Sequence, residues 1–414
     1  MKILFLPFTP SLAHITRCLS IADTMKANNH NCLFAVGTEG KEFINKAGYH
    51  AAIVPEIDSE TFKKSKGWTW LTKKYFVDNL HAEGKIIDEY KPDIIIYDFR
   101  FTSKLAAKIK SIKSCSVVHT SALSLIIDRK NTVPKIIANE DLSYKKNIKD
   151  RIFGFIFPKV FKMLMHKPVK KIRSVLRQYN MKDIDVIFDL LYGDFLLIAD
   201  IMEFIPEGLK IPENAHLVGP LMWSGWDRDR NFQLPAPVEK PIIYITMGST
   251  VDAKPTILKL INSLKELPYT IIISKGQVDY DKNILPENVF LYSYVPGNLV
   301  ASKSSLVIYH GGHETLMQTV SNGVPSLVIP VNPDQILVAK QIKSLGIGNY
   351  LRHPRSFISD KEPLKYFLAK EIKEEVLKIM HDERYKLKCK VLQNSVTKMM
   401  ESKEYLEIIT AANG

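Results

Sequence analysis

Ser305 to Gln335 reads SLVIYHGGHETLMQTVSNGVPSLVIPVNPDQ, and this stretch decides the fold. Leu306 to Tyr309 is a short apolar run of the kind that forms a buried parallel strand. His310, Gly311 and Gly312 follow. Glu314 to Asn322 then has helical spacing, with Leu316, Met317 and Val320 on its buried side. Gly323 stops that helix, Pro325 bars its continuation, and Ser326 to Pro330 reads as a second strand. The result is a strand, a glycine turn, a helix and a strand.

Such a unit makes an anion site. Amides at the helix start have no internal partner, the helix dipole is positive there, and glycines let a phosphate approach the backbone. Thr315 can add a hydroxyl donor and His310 a ring N–H. Asp334 and Gln335 are expected at the tip of the next strand, on the carboxyl edge where ligands bind, and a carboxylate beside an amide suits sugar hydroxyls.

The spacing through His310, Thr315, Gly323, Pro325, Pro330 and Asp334-Gln335 resembles the donor-binding signature of family-one glycosyltransferases of GT-B fold. That resemblance implies two doubly wound, Rossmann-like α/β domains facing a central cleft. It also implies inverting, metal-independent transfer of a hexose from a UDP- or dTDP-sugar to a hydrophobic small molecule or lipid. The nucleotide-diphosphate sugar would be a co-substrate, with no further cofactor. Two other readings stay open: a GT-B sugar-nucleotide epimerase and a non-catalytic protein of the same descent.

The 414 residues suffice for two domains, and with 46% hydrophobic and 24% charged residues both can bury proper cores. Four cysteines, Cys18, Cys32, Cys115 and Cys389, lie far apart without a C-x-x-C pair, which suits a reducing compartment and speaks against a zinc site. The opening KILFLPF is too short for a signal peptide and reads as a core strand. No run has the length to span a bilayer, so the expected location is the cytoplasm, including the inner face of the membrane.

Along the first half, strands at Lys2 to Phe8, Cys32 to Val36, Ile94 to Tyr97, Ser116 to His119, Phe195 to Ala199 and Leu217 to Val218 alternate with helices, the first over His14 to Asn29. The pattern breaks at WSGWDRDRNFQLPAPVEKP. The expected organisation is an acceptor domain over 1–222, a linker over 223–241, a nucleotide-sugar domain over 242–394 and a terminal helix over 395–414 that returns to the first domain. Asp227-Arg228-Asp229 and Asp183-Ile184-Asp185 look like metal-holding D-x-D pairs but lack the strand context for it.

In LPFTPSLAHITRCL, His14 stands at the start of the first helix. The resemblance makes it the catalytic base, with Ala13 where relatives usually have Gly, and makes Asp98 its partner. Neutral imidazole has the right basicity near pH 7, and a carboxylate fixes its tautomer and stabilises the imidazolium. His119, at another strand tip, reads as an acceptor-pocket wall. Gly248 and Ser249 match the motif that contacts the diphosphate. Tyr294 and Val295 match the segment against the nucleotide base, Tyr replacing Trp with its stacking face kept. Gln318 stands where many relatives have a ribose-binding Glu, and Glu314 where many have Asn, Gly or Asp.

Charge is uneven. Arg129 to Lys182 holds fifteen Lys/Arg against three acids, nearly all of the chain's net +13. The segment reads either as a solvated helix pair or as a face for an anionic membrane surface, with Phe153, Phe155, Ile156, Phe157, Phe161, Met163, Leu164 and Met165 in the interface. Nothing in it resembles a nucleic-acid reader, and no nucleic-acid partner is expected.

Overall fold

The computed structural model describes residues 1–65, 67–128, 148–223, 225, 232–235, 240–248, 253–274, 276, 285–353 and 362–412, with the side chains of 148–158 excluded. The chain divides into two compact units: Met1–Trp223 with Met399–Gly414, and Ser224–Lys398.

The first unit is built on seven parallel strands: β1 (Lys2–Pro7), β2 (Asn31–Val36), β3 (His50–Ile53), β4 (Ile94–Asp98), β5 (Lys113–Val118), β6 (Phe195–Ile198) and β7 (Ala215–Leu217). Their order is β3-β2-β1-β4-β5-β6-β7. Around the sheet run α1 (Leu12–Ala27), α2 (Thr38–Lys46), α3 (Ser59–Lys64), α4 (Lys73–Tyr90), α5 (Ser103–Ile109), α6 (Thr120–Ile127) and α7 (Ile148–Gln178). Alternation along β1 explains the two cores. Leu4 and Leu6 join one cluster with Trp70, Phe76 and Ile172, whereas Ile3 and Phe5 join another with Ile15, Leu19 and Met25 of α1.

The second unit has six parallel strands: β8 (Ile242–Thr246), β9 (Thr270–Ser274), β10 (Val289–Tyr292), β11 (Ser304–Tyr309), β12 (Ser326–Val328) and β13 (Gly348–Tyr350). Their order is β10-β9-β8-β11-β12-β13. Its helices are α8 (Lys254–Leu264), α9 (Gly297–Lys303), α10 (His313–Ser321), α11 (Pro333–Leu345), α12 (Ala369–His381) and α13 (Glu383–Ser402). The chain passes to the first unit at Met399, inside α13, and α14 (Tyr405–Ala411) lies on α1, with the Tyr405 and Thr24 hydroxyls 2.8 Å apart.

Several expectations shift. Trp223, read as linker, belongs to the first unit, where its Nε1 donates to Asp23 Oδ2 at 3.1 Å and its ring meets the edge of Phe43. Most of the remaining linker, with Asp227 and Asp229, lies outside the described residues. In the basic segment, 129–147 and the side chains of Phe153, Phe155, Ile156 and Phe157 lie outside them too. Phe161, read as a membrane residue, is buried, and Met165 packs against the first core with its sulfur accepting from Trp68 Nε1 at 3.2 Å. Met163 and Leu164 are exposed, at 53% and 39%. Among the described residues no helix is long and apolar enough to cross a membrane.

Candidate active site

In the first sheet the strand order reverses between β1 and β4, and ligands of open α/β sheets gather outside the carboxyl ends of such neighbours. Pairing of Pro7 with Asp98 brings the loop after β1 beside the end of β4. His14, in the first turn of α1, meets Asp98 there, with Nδ1 2.7 Å from Oδ1. The His14 side chain is 15% exposed and Asp98 2%. Burial pushes the Asp98 carboxyl up, but the charges of Arg17 and then His14 outweigh it and hold it below the usual carboxylate range. Phe99 stacks on the imidazole with centroids 5.1 Å apart, and Phe8 meets it edge-on. His119 is the N-cap residue of α6, with its Nδ1 2.8 Å from Ser121 Oγ.

The second sheet repeats the device between β8 and β11. Thr246 pairs with Tyr309, so the turn after β8 lies beside the turn after β11. His310 is held there between glycines. A Cβ on Gly248 or on Gly312 would come within 2.7 Å of its Cε1. Gly248 also has φ +71°, which only glycine adopts easily. Burial pushes the His310 imidazole down to about 4, against a hydrogen bond with the Thr246 backbone, so the ring is neutral at pH 7. Ser249 lies outside the described residues.

Gly312 caps α10, and Thr315 and Glu314 sit half-buried in its first turns. One turn on, Gln318 lies against Gly297, where a Cβ would be 2.7 Å from its Oε1, so Gln318 and the Tyr294-Val295 segment meet at the start of α9. Tyr294 is 43% exposed and Val295 is buried. Gly311, at φ +93°, brings the backbone close to Gln335. Asp334 and Gln335 belong to the first turn of α11 rather than to a strand tip, because Asn332 and Pro333 start the helix early. Gln335 is buried, and its Oε1 accepts from the amides of Val331 and Asn332 at 2.9 and 3.1 Å. Its oxygen is a helix cap.

Comparison with known proteins agrees with this fold. Residues 258–398 match the family model described as erythromycin biosynthesis protein CIII-like, C-terminal domain. A PGL/p-HBAD biosynthesis glycosyltransferase of Mycobacterium tuberculosis is 26% identical over 86% of this chain and 81% of its own length. These matches support a glycosyltransferase of the family-one GT-B kind. A PGL/p-HBAD biosynthesis rhamnosyltransferase of Mycobacterium bovis is 24% identical to this glycosyltransferase, over 86% of this chain and 77% of its own. The fold matches that of the kitacinnamycin glycotransferase, with a TM-score of 0.73, 16% identity and 98% of each chain covered.

Sequence reasoning missed three parts of this candidate site. Arg17 sits one turn after His14 on α1 and reaches Asp98. Its spacing of three residues was the available signal. Phe99, at φ +53°, turns its ring onto His14 from a backbone region that bulky residues rarely occupy. Arg100 is buried among Glu56, Glu83 and Asn79, and Glu56 Oε2 accepts from the Thr9 amide at 3.2 Å, which fixes the loop after β1 to that after β4. Asp185 of the second D-x-D look-alike pairs with Lys162 at 2.8 Å. Among the described residues no group of three or more His, Cys, Asp or Glu is set to hold a metal ion.

Proposed function

We propose that this glycosyltransferase inverts the anomeric centre as it moves a hexose from a UDP- or dTDP-sugar to a hydroxyl of a hydrophobic small molecule or lipid. The observation that carries the reading is the 2.7 Å contact of His14 Nδ1 with buried Asp98. With Nδ1–H donating to the carboxylate, Nε2 keeps its lone pair for the acceptor hydroxyl. The acceptor oxygen bonds to the anomeric carbon, the bond to the diphosphate breaks, and the hydroxyl proton moves to Nε2. Asp98 stabilises the imidazolium that forms.

His310, Gly248, Gly311, Gly312 and Thr315 are assigned to the diphosphate, Tyr294, Val295 and Gln318 to the nucleoside, and Asp334 with the Gln335 amide to the sugar. A neutral His310 donates an N–H without placing a full charge in a buried turn. The helix amides of α10 take up the charge of the leaving group. His119 and the rings of Phe8 and Phe99 are assigned to the acceptor. The rhamnosyltransferase relative favours including dTDP-deoxyhexoses among the donors.

The exposed side of α7 supports a membrane-surface acceptor. Met163 and Leu164 lie among exposed Lys159, Lys162, Lys167 and Lys170, an apolar spot in a basic field. The test of the function is mass spectrometry of products after a panel of UDP- and dTDP-sugars is offered with hydrophobic extracts. A new species heavier by one hexosyl or deoxyhexosyl unit is expected. Release of free sugar alone, or an epimerised donor with no acceptor product, contradicts the reading.

A further inference from the structure

The Asp98 carboxylate serves two side chains. Arg17 Nε donates to Oδ2 at 2.7 Å and Nη2 to Oδ1 at 3.0 Å, while His14 Nδ1 meets the same Oδ1 at 2.7 Å. Arg17 is 4% exposed and Asp98 2%, so water screens neither charge effectively. Arg17 Nη2 also lies 2.8 Å from His14 Nδ1. A guanidinium nitrogen only donates, so an Nδ1–H aimed at Asp98 stands beside another donor rather than an acceptor.

These contacts give the cluster a different charge balance from a simple imidazole–carboxylate pair. With neutral His14, the Arg17 and Asp98 charges cancel. A proton on His14 leaves one net positive charge in a largely buried place. In a pair without the arginine, the same proton would cancel the carboxylate instead. We propose that Arg17 is a positioning residue that fixes the Asp98 carboxylate toward His14 and opposes protonation of the ring. The inference rests on the reading of His14 as the base. Among the described residues, the charged groups set against the ring are Arg17 from its own helix and Asp98 from β4. Phe8 after β1 and Phe99 after β4 contribute uncharged rings. Cys18, further along α1, has its thiol pushed up by burial and by Asp98, so it stays neutral.

The test is an NMR titration of the intact protein labelled with 15N-histidine, with the His14 resonances identified by their loss in His14→Ala. Arg17→Gln removes the charge but keeps a polar side chain of similar reach. Its His14 midpoint should rise by roughly one to three pH units, the usual effect of a charge at this range. Arg17→Lys keeps the charge, and its midpoint should stay with the wild type. A midpoint in Arg17→Gln that is unchanged or lower overturns the inference. If Arg17→Gln does not fold, an upward move of that size in Arg17→Lys overturns it equally. Should the midpoint rise as expected while His14→Ala keeps full turnover, the coupling stands and the base reading fails.

Discussion

Gly248 and Gly312 both press on the Cε1 and Nε2 atoms of the His310 ring, and neither leaves room for a methyl group. Gly248→Ala adds a strained positive φ to the collision, so both substitutions should displace His310 from the phosphates. Titration calorimetry with UDP and dTDP should show donor affinity falling at least about tenfold in each variant, a loss of one well-placed polar contact. Unchanged affinity would separate His310 from the donor. Much of this pairing was legible in the sequence. Asp98, Gly248 and His310 all stand next to apolar runs that read as buried strands, His14 opens the helix after the first of them, and strand ends fix where a side chain emerges. Arg17 was not legible in the same way. A basic residue on an amphipathic helix ordinarily faces water, and only the position of Asp98 across the sheet turns it inward. Phe99 was not legible at all, since nothing in its residue type announces a left-handed backbone.

The element that carries the proposed donor turn is β11 with α10, and its buried histidine ties stability to pH. The folded value of His310 is about 4, below the ordinary value for histidine, so its contribution is full above about pH 6.5 and is lost as pH falls toward 4. Between pH 7 and 4.5 the wild type should lose about 2–3 kcal/mol from this one group. His310→Gln, which does not titrate, should lose that much less, as read from urea midpoints at the two pH values. Equal losses in both proteins would mean that the ring is protonated without cost in the fold. Boundaries of such elements were less legible than their existence. Helix α11 begins at Pro333 because Asn332 caps it, which moved Asp334 and Gln335 off the expected strand tip. The capping residues were in plain view, but a proline beside an apolar strand also reads as a strand end.

For the whole molecule, two parallel sheets with a crossover between neighbours in each follow from apolar runs that alternate with helical spacing, and that much was open to sequence reading. The partition of the chain was open only in outline, because Trp223 is claimed by Asp23 and Phe43 through contacts between residues far apart in sequence. The basic helix α7 makes a prediction of its own. The protein should float with vesicles containing anionic lipid at low salt and much less with neutral vesicles, and replacing Met163 and Leu164 by Ser should reduce the salt-resistant part. Equal, weak binding to both vesicles would return α7 to a solvated face and favour a soluble acceptor. The central claim is transfer assisted by His14. Its most direct test is the rate of nucleotide-diphosphate release with saturating donor and acceptor, compared between wild type and His14→Ala. The account predicts a fall of roughly 10² to 10⁴ in turnover with donor affinity unchanged, the usual share of a positioned base. Full turnover of His14→Ala at neutral pH would contradict it.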